Sequence, residues 1–491
     1  MNWIKCLGPR HSRTVRGVTL DVVLAIALVA CGASTSPSPS TVPGGSSSGG
    51  LASPSPSTVP GGSPSASSAG TLSPDYKATV RIMEYAGTEP FLAADKFVTN
   101  MLAKKYPNVT LNFEYINADS LSQKITSGVA SGDPPDIIAY FPGPDFVKLA
   151  AAGTLLDLTP LITQDTELQR ISQVFAKTVP TDEYMYRDET YGFTVDLGPL
   201  SVWSWQDVLK SAGIAGPPKT IDELLQDAKT LRAAGIQPMS VGMNTATIWE
   251  IDYTWNALLA NFDQGDVSKA RLGDRGAISY EDPAFMNTLL LFKRLYDAGV
   301  FNDSVMEQTY DVGAKSDWAS KKVAMFWPSG PWMVKTSPDN TAQDINVTTW
   351  PTISGANVVV SGADKVFAAL SVSDHQKTRE YALLMGEIVK AFMSKEAQGE
   401  YYAQGLFPTD TSVVAAAGAP TDPWGKVLVK QVDMLASADR IIDYATYTPE
   451  IYAVTTQSIQ AYLLGRKTAD EVIADLVKAQ KAAYSCAPGC K

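Results

Sequence analysis

The chain has 491 residues, 45% of them hydrophobic, with 51 acidic against 40 basic side chains and a formal net charge of −11. That balance argues against a role built on phosphate contacts, whether to nucleic acid or to an anionic lipid surface. The length exceeds what one core ordinarily organises, so two lobes are expected.

Lys5, Arg10, Arg13 and Arg16 precede the apolar run Val22–Ala30, which is shorter than the about 20 residues that a membrane-spanning helix needs. Residues 1–30 therefore read as an export signal. It ends in LVAC, Leu28 to Cys31, which resembles the bacterial lipobox, so Cys31 is expected to carry the lipid and to begin the mature chain. Asp21 inside the signal departs from the usual pattern. Cleavage there takes 30 of the 491 residues and leaves 461, with a net charge of about −14. Residues 31–75 are rich in Ser, Pro, Thr and Gly, and SPSPSTVPGGS occurs twice, at Ser36–Ser46 and Ser53–Ser63. Such a stretch has too few apolar side chains to offset the entropy of ordering, and a flexible tether is expected. The protein would then stand on the outer face of the cell membrane, held by lipid alone.

From Ala78 the pattern alternates strand and helix. Thr79–Tyr85 reads as a strand, Phe91–Lys105 as a helix with Phe91, Val98 and Leu102 on one face, and Val109, Leu111, Phe113 and Tyr115 as a half-buried strand. Asp119–Ser131 is again helical and Asp136–Ala139 is a short apolar strand after a Gly-Asp-Pro-Pro break. This βαβαβ order implies parallel strands, with ligands beyond their carboxyl ends. Farther on, Thr220 with Glu223 and Thr468 with Glu471 have the spacing of capping boxes.

KKVAMFWPSGPWMV, residues 321 to 334, sets Trp327 and Trp332 on either side of a Pro-Ser-Gly-Pro turn. Two such side chains on a turn are either core filler or a flat surface for a ligand. Near the C-terminus Cys486 and Cys490 lie four apart; a disulfide is the expected reading in an oxidising exterior, with a redox or metal role as the alternative. Zinc needs three or four ligands, and His375 is the only histidine after cleavage. No metal site and no cofactor are expected. The chain also lacks a phosphate-binding GxxxxGK[ST], a GxGxxG after a strand, an HExxH and a nucleophile elbow, which disfavours an enzyme.

Several segments then resemble the family 1 extracellular solute-binding proteins of ABC importers, the group that contains the maltodextrin binder. They include SGDPPDIIAYFPGPDFVKLAAAGTLLDLTPLI (Ser131–Ile162), YGFTVDLGPLSVWSWQDVLKSAGI (Tyr191–Ile214), KKVAMFWPSGPWMV, YYAQGLFPT (Tyr401–Thr409) and GRKTADEV (Gly465–Val472), in the family's order and spacing. The resemblance implies an α/β fold of two lobes, the type II periplasmic-binding fold, with the ligand in a cleft that closes about a hinge. One lobe is expected to take residues 76–195 and 340–403, the other 196–339 and 404–491.

Residue by residue, Tyr140, Trp332 and Tyr452 fall where the family stacks aromatics on its ligand. Glu250 and Trp255 align with a ligand-binding glutamate and a nearby tryptophan, while Asp252 replaces a sugar-contacting aromatic. Trp205 stands where the family has an asparagine, and Asp364 is offered as a replacement polar contact. These departures imply that the ligand need not be maltose. Tryptophan is core by default, so Trp327 is expected to pack beneath Trp332.

The function implied is capture of a carbohydrate, an oligosaccharide in the first instance, by a monomer that hands it to an ABC permease without breaking a bond. One alternative is a receptor for another solute, such as a peptide or phosphodiester. The other is a surface-anchored glycoside hydrolase, which needs two carboxylates across the sugar; Glu250 and Asp252 are the pair to examine.

Overall fold

The structure is a computed structural model that describes residues 70–486, except for 86–88, 117, 180–183, 187, 245–248, 263–277, 334–338, 372–377, 418–421 and 443–447. The export signal, Cys31, most of the tether, His375 and the expected pairing of Cys486 with Cys490 lie outside the described residues.

The alternating pattern folds as strand Ala78–Tyr85, helix Glu89–Lys105, strand Val109–Ile116, helix Ala118–Ser131 and strand Ile137–Tyr140. Val80 and Ile82 turn inward while Thr79 and Arg81 face out, and Phe91, Ala94, Val98 and Leu102 bury one face of the first helix. The three strands are parallel, with 78–85 in the middle. Val366–Ala369 and Phe193–Thr194 extend the sheet to five, each antiparallel to its neighbour.

A second sheet has the order Ile345–Thr348, Ser201–Trp205, Val323–Ser329, Gln237–Ser240. Every residue of 201–205 and of 323–329 is buried, as in a sheet covered on both faces. The division of the chain at residue 340 therefore needs correction: Ile345–Thr348 pairs with Ser201–Trp205 in the second sheet, with Ile345 opposite Trp205. The helix Pro423–Ala436, expected in the second lobe, straddles the two. Its Leu428 enters the first core, while Trp424 and Val427 join a separate aromatic cluster. In that cluster Trp205 stacks on Trp318 at 4.5 Å, and Trp203 lies 6.1 Å from Trp424.

Three strands of chain pass side by side between the two cores, at 196–200, 360–364 and 407–410. Gly198 N–H donates to Gly362 O at 2.9 Å, Leu200 N–H to Val360 O at 2.8 Å, and Thr409 N–H to Val195 O at 3.2 Å; Phe407 pairs with Leu197. Beneath them lies a buried charge cluster. Lys365, with no exposed side-chain surface, pairs with the equally buried Glu84 and sits over the rings of Phe91 and Tyr85, 3.2 and 4.5 Å from their centres. Asp95 accepts from the hydroxyls of Tyr401 and Tyr115 at 3.1 and 3.2 Å. Asp364 Oδ2 accepts from the Tyr85 hydroxyl at 2.5 Å, and the Asp196 carboxyl lies beside Asp364.

Four buried carboxyls thus share one ammonium. Burial, and then the neighbouring Asp364, push the Asp196 carboxyl well above the usual carboxylate range, and burial pushes Asp95 and Asp364 up as well. A raised folded-state pKa gives stability that is complete below the unfolded value of about 3.9 and is lost as pH climbs toward the folded value. The melting temperature of the ligand-free protein is expected to fall across that interval. In Asp196→Asn, whose amide donates without titrating, the fall should be shallower. Parallel pH dependences of the melting temperature in the two proteins would show that the Asp196 carboxyl is not shifted upward in the folded state.

Candidate functional site

The parallel strands 78–85 and 137–140 end in Tyr85 and Tyr140, and at their carboxyl ends the side chains form an aromatic wall. Tyr85 stacks on Phe141 at 4.6 Å and 23°, and Tyr140 lies tilted 5.4 Å from Phe141. All three rings are half-buried. The Tyr85 hydroxyl is tied to Asp364, which links this wall to the crossings.

On the other side, the strand 323–329 runs into the short 3-10 turn Pro331–Met333. Trp332 is half-buried and packs against the first core, the second core and the tryptophan cluster. Its Nε1 donates to the Tyr310 hydroxyl at 2.9 Å. A Cβ on Gly330 would lie 2.3 to 2.7 Å from the Trp332 ring, so only glycine lets the indole settle there. Trp327 is different. It is fully buried, donates to Thr254 Oγ1 at 3.1 Å and meets Trp350 edge-on at 4.8 Å. Trp327 is therefore core, while Trp332 keeps accessible surface.

The helix Trp249–Leu259 turns most of the expected polar contacts inward. Glu250 is 0% exposed and its Oε2 accepts from Gly242 N–H at 2.8 Å; Asp252 is 1% exposed and its Oδ1 accepts from Asn256 Nδ2 at 3.1 Å. Trp255 lies in the second core beside Phe285, and Trp205 in the tryptophan cluster, where its Nε1 donates to Trp318 O at 2.9 Å. These four, expected at the ligand, present no surface to it, because each is committed to packing or to a buried hydrogen bond. Asp364 likewise serves the crossings.

The face that this helix does offer carries Trp249 and Tyr253, one turn apart and 5.1 Å from ring to ring, with Trp249 4.9 Å from Tyr310. Both are half-buried. Tyr452, near the start of the helix Pro449–Leu463, is half-buried against the second core, and that helix touches Pro144–Ala151, the helix that follows Tyr140 and Phe141. Of the expected contacts, Trp332, Tyr140 and Tyr452 keep accessible surface. Tyr85, Phe141 and Tyr253, half-buried beside them, were not singled out from the sequence; the spacing of Tyr253 four residues after Trp249, which puts both on one helical face, is the signal that could have found it. Among the described residues no group of three His, Cys, Asp or Glu side chains is placed to hold a metal ion, and no helix is long and apolar enough to cross a membrane.

Residues 83–399 match the profile of the bacterial extracellular solute-binding proteins, and the chain belongs to that family. A putative binding protein of Brucella abortus is 26% identical over 201 residues, 40% of this chain and 45% of the relative, so the chain spans under half the length of that relative. An uncharacterized ABC transporter extracellular-binding protein of Pyrococcus horikoshii is 20% identical over 390 residues, 77% of this chain and 82% of its own. Among solved structures, a chitin oligosaccharide binding protein superposes with a TM-score of 0.67 at 20% identity, covering 83% of this chain and 99% of that one. The fold is therefore the two-lobed type II periplasmic-binding fold.

The division of labour at the turn has a direct test. Trp327→Ala empties a core position and should cost about 3 to 5 kcal/mol of stability. Trp332→Ala should cost the fold less and weaken ligand binding by about 1 to 3 kcal/mol. Melting both variants without ligand and titrating both by calorimetry separates the roles; normal binding with early unfolding in Trp332→Ala would return Trp332 to the core.

Proposed function

We propose that this protein captures a carbohydrate, an oligosaccharide in the first instance, outside the cytoplasmic membrane and delivers it to an ABC permease by hinge closure. The observation that carries this reading is the pair of half-buried aromatic sets, Tyr85, Tyr140 and Phe141 from one lobe and Trp249, Tyr253, Trp332 and Tyr452 from the other. Sugars present apolar C–H faces and a rim of hydroxyls, so flat aromatic surfaces are what a sugar cleft needs first. The structural similarity to a chitin oligosaccharide binding protein and the sequence similarity to an ABC transporter extracellular-binding protein point the same way. Cys31 anchors the mature chain through lipid, residues 31–75 tether it, and it acts as a monomer.

Binding rather than hydrolysis is favoured by the state of the two acids singled out for a glycosidase. A retaining or inverting enzyme needs both carboxyls at the scissile bond, and Glu250 and Asp252 are 0% and 1% exposed.

The test is a thermal-shift screen against maltose, maltotriose, xylotriose and chitotriose, with a dipeptide and a glycerophosphodiester as the other solute classes. A ligand of the native state should stabilise it by about 2.7 kcal/mol at a hundred times its dissociation constant. Stabilisation by the dipeptide or the phosphodiester and by none of the sugars would overturn the carbohydrate reading.

A further inference from the structure

Tyr310 begins a π-helical turn, Tyr310–Ala314, in which Lys315 N–H reaches back to Tyr310 O. Such turns are rare and are frequent at functional sites. This one separates its residues sharply: Tyr310 is 5% exposed and Val312, two positions on, is 83% exposed. The Tyr310 ring is wedged between Phe326 at 5.3 Å and the half-buried Trp249 at 4.9 Å, so its hydroxyl has a fixed position. That hydroxyl lies 2.9 Å from Pro328 O and 2.9 Å from Trp332 Nε1. A carbonyl can only accept and an indole N–H can only donate, so the hydroxyl gives its proton to Pro328 and takes the bond from Trp332. The direction of both bonds follows without ambiguity.

Trp332 is then held at two places. Its single polar atom is bonded on the protein side through Tyr310, and its six-membered ring lies against the Cα of Gly330, where no Cβ would fit. Two such points fix the plane of the indole. We infer that Tyr310 is the positioning residue of the Trp332 platform, setting the plane in which the indole meets a sugar ring and thereby the affinity and selectivity of the cleft. This rests on the carbohydrate reading above, since it assigns Tyr310 a role in the same cleft. A platform whose orientation is set before the ligand arrives loses less freedom on binding.

The experiment is a double-mutant cycle on the full mature chain, measured with maltotriose, xylotriose and chitotriose. Tyr310→Phe keeps the ring and removes the hydroxyl; Trp332→Phe keeps an aromatic face and removes the N–H. Tyr310→Phe should weaken the best of the three sugars by about five- to tenfold. In the Trp332→Phe background the same change should alter binding by less than about twofold, the level at which independent sites add. Melting temperatures of all four proteins without ligand report folding, and a purely structural role for Tyr310 would lower binding equally in both backgrounds. In addition, the Trp332 indole N–H, followed by nitrogen-15 NMR of the free protein, should exchange faster with solvent in Tyr310→Phe. If wild type binds one of the sugars and Tyr310→Phe binds it within about twofold of wild type, the inference is overturned while the carbohydrate reading stands. If wild type binds no sugar of the screen above and is stabilised by the dipeptide or the phosphodiester instead, both fall together.

Discussion

Lys365 lies with no exposed side-chain surface among Glu84, Asp95, Asp196 and Asp364, and the three crossings between the lobes run over that cluster. Removing an ammonium and several carboxyls from water costs several kcal/mol for each ion, which only mutual contact and hydrogen bonds can offset. The tyrosine hydroxyls of residues 85, 115 and 401 and the ion pair of Lys365 with Glu84 supply those contacts. Each is directional, so the cluster fixes where 196–200 and 360–364 leave the first lobe. Adjacent antiparallel crossings anchored in this way restrict relative motion to rotation about a hinge. The same Tyr85 that bonds Asp364 stacks on Phe141 at the cleft wall, so the wall and the hinge share a side chain.

The cleft follows from where the sheets end. Parallel strands deliver Tyr85 and Tyr140 to one edge of the first sheet, and the strand 323–329 delivers Trp332 from the second. Trp332 packs on both cores and on the tryptophan cluster, which puts a large flat side chain where the lobes meet. In the proposed function a sugar ring is the object between these surfaces, and the closed arrangement gains population from the contacts it makes with both walls. The buried tryptophans contribute differently: Trp203, Trp205, Trp318 and Trp424 pack together behind Trp332, giving it a rigid backing.

Much of this was legible in the sequence because it depends on short-range chemistry. The βαβαβ unit followed from apolar periodicity, and both capping boxes formed: Thr220 and Glu223 bond reciprocally, as do Thr468 and Glu471. That Trp327 belongs to the core was readable because it lies on an apolar strand and tryptophan is core by default; Trp332 was singled out only by the family resemblance. What sequence could not give was the orientation of the helix Trp249–Leu259. Trp249, Glu250, Asp252, Tyr253 and Trp255 are equally plausible as cleft residues until packing decides that the helix rotates Glu250, Asp252 and Trp255 inward. The strand Ile345–Thr348 was assigned to the other lobe because four residues, half of them polar, carry no signal of which sheet they join. Tyr310 was invisible for a related reason, since a π-turn is set by its surroundings rather than by local propensity.

If the two lobes close on a carbohydrate held between aromatic walls, saturation makes the molecule more compact. Small-angle X-ray scattering of the mature chain, first free and then saturated with a sugar whose binding has been established by calorimetry, measures that change. A smaller radius of gyration is expected in the saturated sample, as lobes joined by three adjacent crossings rotate together. An unchanged radius at full saturation would contradict it, and would mean that the sugar enters a cleft that does not move.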